Sequence, residues 1–342
     1  MAKNSRKSGK PTLTDVARAA NVSAITASRA LRNPDSVSAI LRERISQAVR
    51  AIGYVPDTAA RALASSHTNV IGIIIPSVTN SVYTDVLRGI YDAIETTPFQ
   101  VQLGNTNYSS IKEEELLRLF LGQRPAALMV TGHDQSRDAA QLLAANNCPV
   151  VQIMDLPPEP FDMAVGFDHR DAAEAATRNL IARSYRRIGF LAAQMDTRTR
   201  QRLDGYVRAM TEAGLFDERM VVTTHKTSSV FLGQQLLSEF MARFPDADAI
   251  QANNDDIALG ALFECQRRRM RVPEDFGISG FNDFDIASAV HPTLTSVKTY
   301  RYEMGHKAIE MLIAAVAGHP PAERTVDLGF ELIERESTAR NG

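Results

Sequence analysis

From Val70 onward the chain alternates short apolar runs with amphipathic stretches, and this alternation constrains its fold more than any other feature. VIGIIIP, beginning at Val70, is apolar almost throughout, as a strand buried on both faces requires. The pattern predicts a helix from about Tyr83 to Glu95, the strand FQVQLGN and a helix from Lys112 to Leu121. The strand AALMVT, a helix from Ser136 to Ala145 and the strand PVVQIM follow. After MAVGFDH the alternation restarts, with helices expected over 171–183, 200–213, 229–243 and 257–269. Between these helices lie the strands RIGFLAA, MVVTTH and DAIQAN, and FGISGF comes after the last. Strands separated by helices pair in parallel, so the economical reading is an α/β body of two doubly wound halves side by side. A ligand of such a body binds in the cleft outside the carboxyl ends of the strands.

At 342 residues the chain is too long for one ordinary domain and leaves room for a separate head. Residues 1–60 hold ten Lys/Arg against four Asp/Glu, whereas the remainder holds 28 against 36. A basic head on an acidic body is the electrostatic footprint of a nucleic-acid-binding module joined to something else. A solvated basic tail is the bland alternative on charge alone. No apolar run approaches the eighteen or so residues that span a bilayer, so no membrane partner is expected. The start, MAKNSRKSGKP, is basic without a following apolar stretch, unlike a signal peptide, so a cytoplasmic location is expected. Cys148 and Cys265 lie too far apart for a metal spacing and read as buried or inert thiols.

Within the basic head, LTDVARAANVSAITASRALRN (Leu13 to Asn33) carries two short apolar-periodic runs broken at Asn21-Val22-Ser23. Thr12 suits the cap of a first helix, with Asp15 in its first turn and Leu13, Val16, Ala17 and Ala20 on one face. Ser23 suits the cap of a second helix over about Ala24 to Leu31. After the break at Asn33-Pro34-Asp35, Ser38 suits the cap of a third. Its apolar stripe is expected to comprise Ile40, Leu41, Ile45, Ala48, Val49 and Ile52, and Gly53 ends it. Three short helices with a four-residue turn between the first two make a helix-turn-helix arrangement.

The stretch from TLTDVARAANVSAITASRALRN to TAARAL resembles the DNA-binding head of the LacI-type bacterial repressors along its whole length, most specifically in the order D-V-A-x-x-A-x-V-S-x-x-T-x-S-R-x-L. The resemblance implies that the second helix enters the major groove of double-stranded DNA with Ala24, Ile25, Thr26, Ser28 and Arg29, supported by Thr12 and Ser23. Thr26 and Arg29 would bond bases or phosphates, since Arg to guanine is the commonest specific pairing and phosphate the uninformative alternative. Ala24 and Ile25 offer only apolar contact. The sequence departs from the family at Ala27, where valine is usual. The resemblance also implies that YVPDTAARALASSHT is a hinge, helical from Pro56 to Ala64 only when two copies meet on DNA, with Leu63 as a wedge in the minor groove. The expected domains are a head over 11–56, a hinge over 57–68 and a body over 69–342 for effector binding and dimerisation.

The body from about residue 69 to 335 is likewise similar to that family, whose bodies resemble periplasmic sugar-binding proteins. The matching stretches are NDDIALGALFECQ, FGISGFNDFDIA and HPTLTSVKTYRYEMGHKAIEMLI. PSVTNSVYTDVLRGI, MDLPPEPFDMAVGFDH, DTRTRQRLDGY and DLGFEL look most like the gluconate-utilisation repressors. Polar residues at the strand ends are the candidates for the cleft: Ser77, Asn80, Tyr83, Asn105, Asp155, Asp168, Arg198, Arg202, Asn254, Asp255 and Asn282. Asn and Asp supply the paired donors and acceptors a polyol needs, and an arginine fork matches a carboxylate at two points. By the resemblance Arg202 stands at an effector-binding position and Arg198 matches the gluconate-type members. For each arginine a surface ion pair is the alternative, and for Asp168 and Asp255 a helix-capping role. Asn282 replaces an aspartate common in the family, which removes a repulsion that an anionic effector would feel.

These features imply a homodimeric transcriptional repressor of sugar or sugar-acid catabolism on a pseudo-palindromic operator, gated by a small effector. Neither cofactor, metal site nor catalytic residue is expected. A regulator answering a neutral sugar, an activator and a corepressor-dependent repressor are the alternatives, with a sugar-processing enzyme or a stand-alone sugar-binding protein more remote. Against an enzyme, the sequence has no G-x-G-x-x-G after a strand, no phosphate-binding G-x-x-x-x-G-K-[ST], no H-E-x-x-H and no G-x-S-x-G. His133 and His169, each beside an aspartate, read as surface or pocket-rim residues.

Overall fold

The structure, a computed structural model, describes residues 11–55 and 68–340. The chain divides into two units, Met1–Thr68 and Asn69–Gly342. The expected hinge helix from Pro56 to Ala64, with Leu63, lies outside the described residues.

The first unit is built from α1 (Leu13–Ala19), α2 (Ala24–Arg32) and α3 (Ala39–Ile52). Each begins where its cap was expected. The Thr12 backbone N–H and hydroxyl both donate to the Asp15 carboxylate, at 2.9 and 2.7 Å. Ser23 Oγ accepts the Thr26 N–H at 3.1 Å, and Ser38 Oγ accepts that of Leu41 at 3.4 Å. Such caps satisfy first-turn N–H groups that have no partner inside the helix. Asn21 makes the turn at φ 49°, and Gly53 closes α3 at φ 65°, a left-handed conformation that a glycine adopts freely. Val16, Ala17, Ala20, Ala27, Ala30, Ile45 and Ala48 form the core. Ile40 does not join it and is 84% exposed. Five residues before Ile45 it lies well round the helix from the buried face, whereas Leu41, four before, falls on it.

The second unit carries two six-stranded sheets. Its first lobe opens with β1 (Val70–Ile75), α4 (Val82–Ile94), β2 (Gln100–Asn105), α5 (Ser110–Gly122) and β3 (Ala127–Thr131). It continues through α6 (Arg137–Ala145), β4 (Val150–Met154) and β5 (Met163–Gly166). The second lobe follows with α7 (His169–Ala182), β6 (Ile188–Ala192), α8 (Thr197–Glu212), β7 (Val221–Thr223) and α9 (Val230–Arg243). Then come β8 (Ala249–Ala252), α10 (Asp255–Arg267), β9 (Gly277–Asn282), α11 (Asp285–Ala289) and β10 (Thr295–Thr299). The last elements are α12 (Arg301–Val316), β11 (Thr325–Asp327) and β12 (Phe330–Ile333).

The sheet orders are β11-β5-β4-β3-β1-β2 and β12-β10-β9-β8-β6-β7, parallel except where β12 runs antiparallel to β10. The chain therefore crosses between lobes repeatedly: α12 and β11 return to the first and β12 goes back to the second. After FGISGF the sequence carries no clear element pattern, so these crossings are not legible in it. One hydrophobic cluster joins Ile71, Ile73, Met304 and Ile309 of the first lobe to Ala172, Ala173, Phe281 and Val297 of the second. In the first lobe α4 and α12 approach so closely that a Cβ on Gly89 would lie 2.1 Å from the Tyr302 carbonyl oxygen.

Candidate functional site

In the first unit, α2 turns Ala27 and Ala30 into the core and leaves Ala24, Ile25 and Arg29 exposed, with Ile25 72% exposed. Thr26 and Ser28 are half-buried at the edge of this face. The Thr26 hydroxyl lies 2.8 Å from Ser23 Oγ, so the cap and its neighbour form one polar pair beside the apolar tip. Ala27 is wholly buried, as its place in the core requires.

In the second unit a cleft lies between the lobes at the carboxyl ends of the strands. The first lobe contributes Asn80, Tyr83, Tyr108, Met154 and Phe167. Across from them stand His169, Gln194, Asp196, Arg198, Arg202, Thr227, Ser228, Asn253, Asn254, Asn282 and Thr299. Asn80 donates through Nδ2 to the Tyr108 hydroxyl at 2.9 Å and accepts the Val82 N–H through Oδ1, which fixes its amide. Burial raises the pKa of both the Tyr83 and the Tyr108 hydroxyl, so each stays protonated.

Two guanidiniums from α8 enter this cleft. Arg198, buried, donates from Nη2 to Asp196 at 2.7 Å. Its Nη1 lies 3.6 Å from Asp155 and has no hydrogen-bond partner among the described residues. Burial alone would lower its pKa, yet Asp196, Tyr83, Asp155 and Asp134 hold it well above the ordinary value. Asp196 is the counterpart: burial pushes its pKa up, but Arg198 and the Thr199 N–H bring it below the usual range. Arg202 lies 3.8 Å over the Phe281 ring and donates from Nη1 to the Asn253 carbonyl at 2.6 Å and from Nε to His169 Nδ1 at 3.2 Å. Burial lowers its pKa to about 10, leaving it charged at neutral pH.

At the carboxyl end of β9, inside the second sheet, Asn282 is buried at φ 115°, and its carbonyl accepts from Arg301. Its Nδ2 has no hydrogen-bond partner among the described residues. Asn254 caps α10, accepting the Ile257 N–H at 3.1 Å and the Ser228 hydroxyl at 3.0 Å.

Of the eleven residues expected in the cleft, the fold thus brings six together: Asn80, Tyr83, Arg198, Arg202, Asn254 and Asn282. The other five sit elsewhere for identifiable reasons. Ser77 folds back on its own loop and accepts the Thr79 and Asn80 N–H groups. Asn105 pairs with Asn107 beyond the end of edge strand β2. Asp168 is exposed and caps α7 through the Arg170 and Asp171 N–H groups. Asp255 is fully buried and binds the Ser296 hydroxyl at 2.6 Å and the Phe284 N–H at 2.8 Å, holding the loop after β9. Asp155 lies buried behind Arg198, 3.6 Å from His133 and 3.8 Å from His169. Tyr108, Asp196 and Ser228 line the cleft without having been anticipated, and His169 is buried within it rather than at its rim. Asp196 was findable as the cap of DTRTRQRLDGY; Tyr108, in the loop between FQVQLGN and the next helix, carries no such signal.

Residues 12–57 match the family described as bacterial regulatory proteins, lacI family, and residues 177–338 match a periplasmic binding protein-like domain. The chain is 40% identical to the HTH-type transcriptional regulator GntR of Pseudomonas aeruginosa, over 98% of each. A crystal structure of a LacI-family transcriptional regulator from Silicibacter pomeroyi superposes with a TM-score of 0.91 at 33% identity, covering 96% of this chain and 100% of that one. That of the transcription regulator GntR from Chromobacterium violaceum gives 0.76 at 38% identity, over 79% and 99%.

Proposed function

This chain belongs to the lacI family of bacterial regulatory proteins, a DNA-binding transcriptional regulator, and we propose that it represses sugar-acid utilisation genes under control of gluconate or a close relative held in the interlobe cleft. The observation that carries the ligand class is the convergence of two buried guanidiniums, Arg198 and Arg202, on one cleft with Asn282, whose Nδ2 has no hydrogen-bond partner among the described residues. A buried donor without an acceptor is costly, and a carboxylate can accept from a guanidinium at two points. Asp196 also lines the cleft and would suit a neutral sugar, but its charge is already matched by Arg198 at 2.7 Å. Asn80, Tyr83, Tyr108, Ser228 and Asn254 supply the neutral donors and acceptors that hydroxyl groups require.

On this reading residues 11–56 grip DNA, residues 57–68 form the hinge and residues 69–342 bind effector and dimerise. Ala24, Ile25, Thr26, Ser28 and Arg29 read the major groove, with Thr12 and Ser23 setting the helix ends, and Leu63 wedges into the minor groove. Two heads of a homodimer engage the half-sites of a pseudo-palindrome in the cytoplasm, where the DNA is. The ligand favours one arrangement of the lobes, and that arrangement sets the affinity of the paired heads for operator. A thermal-shift screen of the full chain against gluconate, ketogluconates and neutral sugars tests the ligand class, since a ligand that binds only the folded state raises the midpoint. Sugar acids are expected to raise it and neutral sugars to leave it in place. A shift with neutral sugars alone would reverse the assignment.

A further inference from the structure

We infer that His169 is a positioning residue: a neutral imidazole that sets the orientation of Arg202 and ties it to the backbone of the first lobe. The affinity part of its test rests on the sugar-acid reading above; the rest does not. The His169 side chain is 1% exposed. Its Nδ1 stands 3.2 Å from Arg202 Nε and its Nε2 stands 3.2 Å from the Met154 carbonyl oxygen. An arginine Nε–H can only donate, so Nδ1 must offer a lone pair, and the ring's one proton belongs on Nε2, where it donates to Met154. This fixes the tautomer.

The surroundings leave the ring little freedom. Phe167 packs on it at 4.1 Å between centroids, and Phe281 lies nearly parallel at 6.1 Å. Arg202 lies over the same Phe281 ring, so imidazole and guanidinium share one aromatic support. A second proton on His169 would set N–H against N–H and add a positive charge facing Arg202 and Arg198. Asp155, 3.8 Å from Nε2, is the carboxylate opposing that effect, and His133 stands on its other side. Burial and then the two arginines push the His169 pKa well below its ordinary value, in keeping with the geometry. The result is a chain of contacts from Met154 in the first lobe through His169 and Arg202 to the Asn253 carbonyl in the second. Removing the Nδ1 acceptor leaves Arg202 held by one hydrogen bond and by stacking, free to turn its fork.

The test uses the ligand-free full-length protein labelled with 15N-histidine and 15N-arginine. One of the seven histidine signals, absent from H169N, is expected to show the Nε2–H tautomer and no titration from about pH 8 down to about 5.5. The Arg202 Nε–H signal, identified by its loss in R202K, is expected to persist in H169N, whose Oδ1 replaces Nδ1 as acceptor, and to vanish in H169L. A proton on Nδ1, titration near the ordinary histidine value, or an unchanged Arg202 signal in H169L would overturn the inference. With gluconate as the probe, H169L is expected to bind about tenfold or more weakly and H169N to recover most of the loss. Wild-type affinity in H169L would likewise overturn it. If the wild type itself does not bind gluconate, the ligand assignment fails and the NMR signals alone judge His169. If H169L does not fold, the wild-type tautomer and titration decide.

Discussion

Asn282→Asp converts a buried donor into a buried negative charge at one end of the cleft, and so separates an anionic ligand from a neutral one. Asn282 is 2% exposed, and its amide nitrogen has no partner that the substitution would orphan. Its φ of 115° is outside the range most side chains adopt, but aspartate is isosteric with asparagine, so the substitution adds no backbone strain of its own. The backbone should therefore accept the change, and the binding is measured at a pH high enough to keep the buried carboxyl ionised. Two like charges about 4 to 8 Å apart at an effective dielectric of about 20 repel by about 2–4 kcal/mol. That corresponds to a loss of gluconate affinity of roughly 30-fold to 1,000-fold. A neutral sugar or lactone of the same skeleton loses one donor and gains one acceptor, a change of about 1 kcal/mol in either direction. Isothermal titration of both ligands against both proteins, with the thermal midpoint as a control for folding, reads the difference directly. Unchanged gluconate affinity, or equal losses for the acid and its neutral analogue, would refute the charge argument.

Other features of the structure make independent demands. Burial raises the Asp255 pKa to about 6, so the folded state holds that proton more tightly than the unfolded chain, whose value is about 3.9. Its contribution to stability is therefore full below about pH 4 and is lost as pH rises through about 6, by up to about 3 kcal/mol. Asp255→Asn should remove that dependence, which denaturant midpoints at either end of the range will read; a constant difference from wild type would contradict it. Gly89→Ala would set a Cβ 2.1 Å from a backbone oxygen of α12 and should cost about 3 kcal/mol, seen as a lowered melting midpoint. An unchanged midpoint would mean that α4 and α12 are not so closely apposed. Arg29→Ala should cost about 1–3 kcal/mol at one base position in a DNA selection assay. Uniform weakening across sequences, with the salt slope reduced by about one, would make Arg29 a phosphate contact instead.

The parts of this fold that were legible in the sequence are those written in local chemistry. Thr12, Ser23, Ser38 and Gly53 announced the ends of α1, α2 and α3, because capping needs particular side chains at particular positions. The buried strands announced themselves as apolar runs. Helices α7, α8 and α10 begin two or three residues before the expected starts, because their polar first turns lie outside the apolar pattern. Strands β11 and β12, of three and four residues with mixed polarity, and the return of α12 to the first lobe leave no local trace. The same distinction governs the cleft. Arg198 and Arg202 were expected there from the family resemblance, and α8 brings them to one face because they stand one helical turn apart. Ser77, Asp168 and Asp255 serve local backbone instead of lining the cleft, because serine and aspartate at strand ends suit turns and caps as readily as ligands. His169 showed only a histidine beside an aspartate; its role comes from Arg202, 33 residues further on.

The central claim is that one small acid, bound at Arg198 and Arg202, changes the grip of α2 on DNA. The direct test is the affinity of the full-length protein for a palindromic duplex that it selects from a random pool, measured by fluorescence anisotropy with and without saturating gluconate. The account predicts a change of about 5–150-fold in the wild type and none in Arg202→Ala, with the two proteins equal in the absence of gluconate. An Arg202→Ala protein that responds as the wild type does, or a wild type whose DNA affinity ignores gluconate, would contradict it.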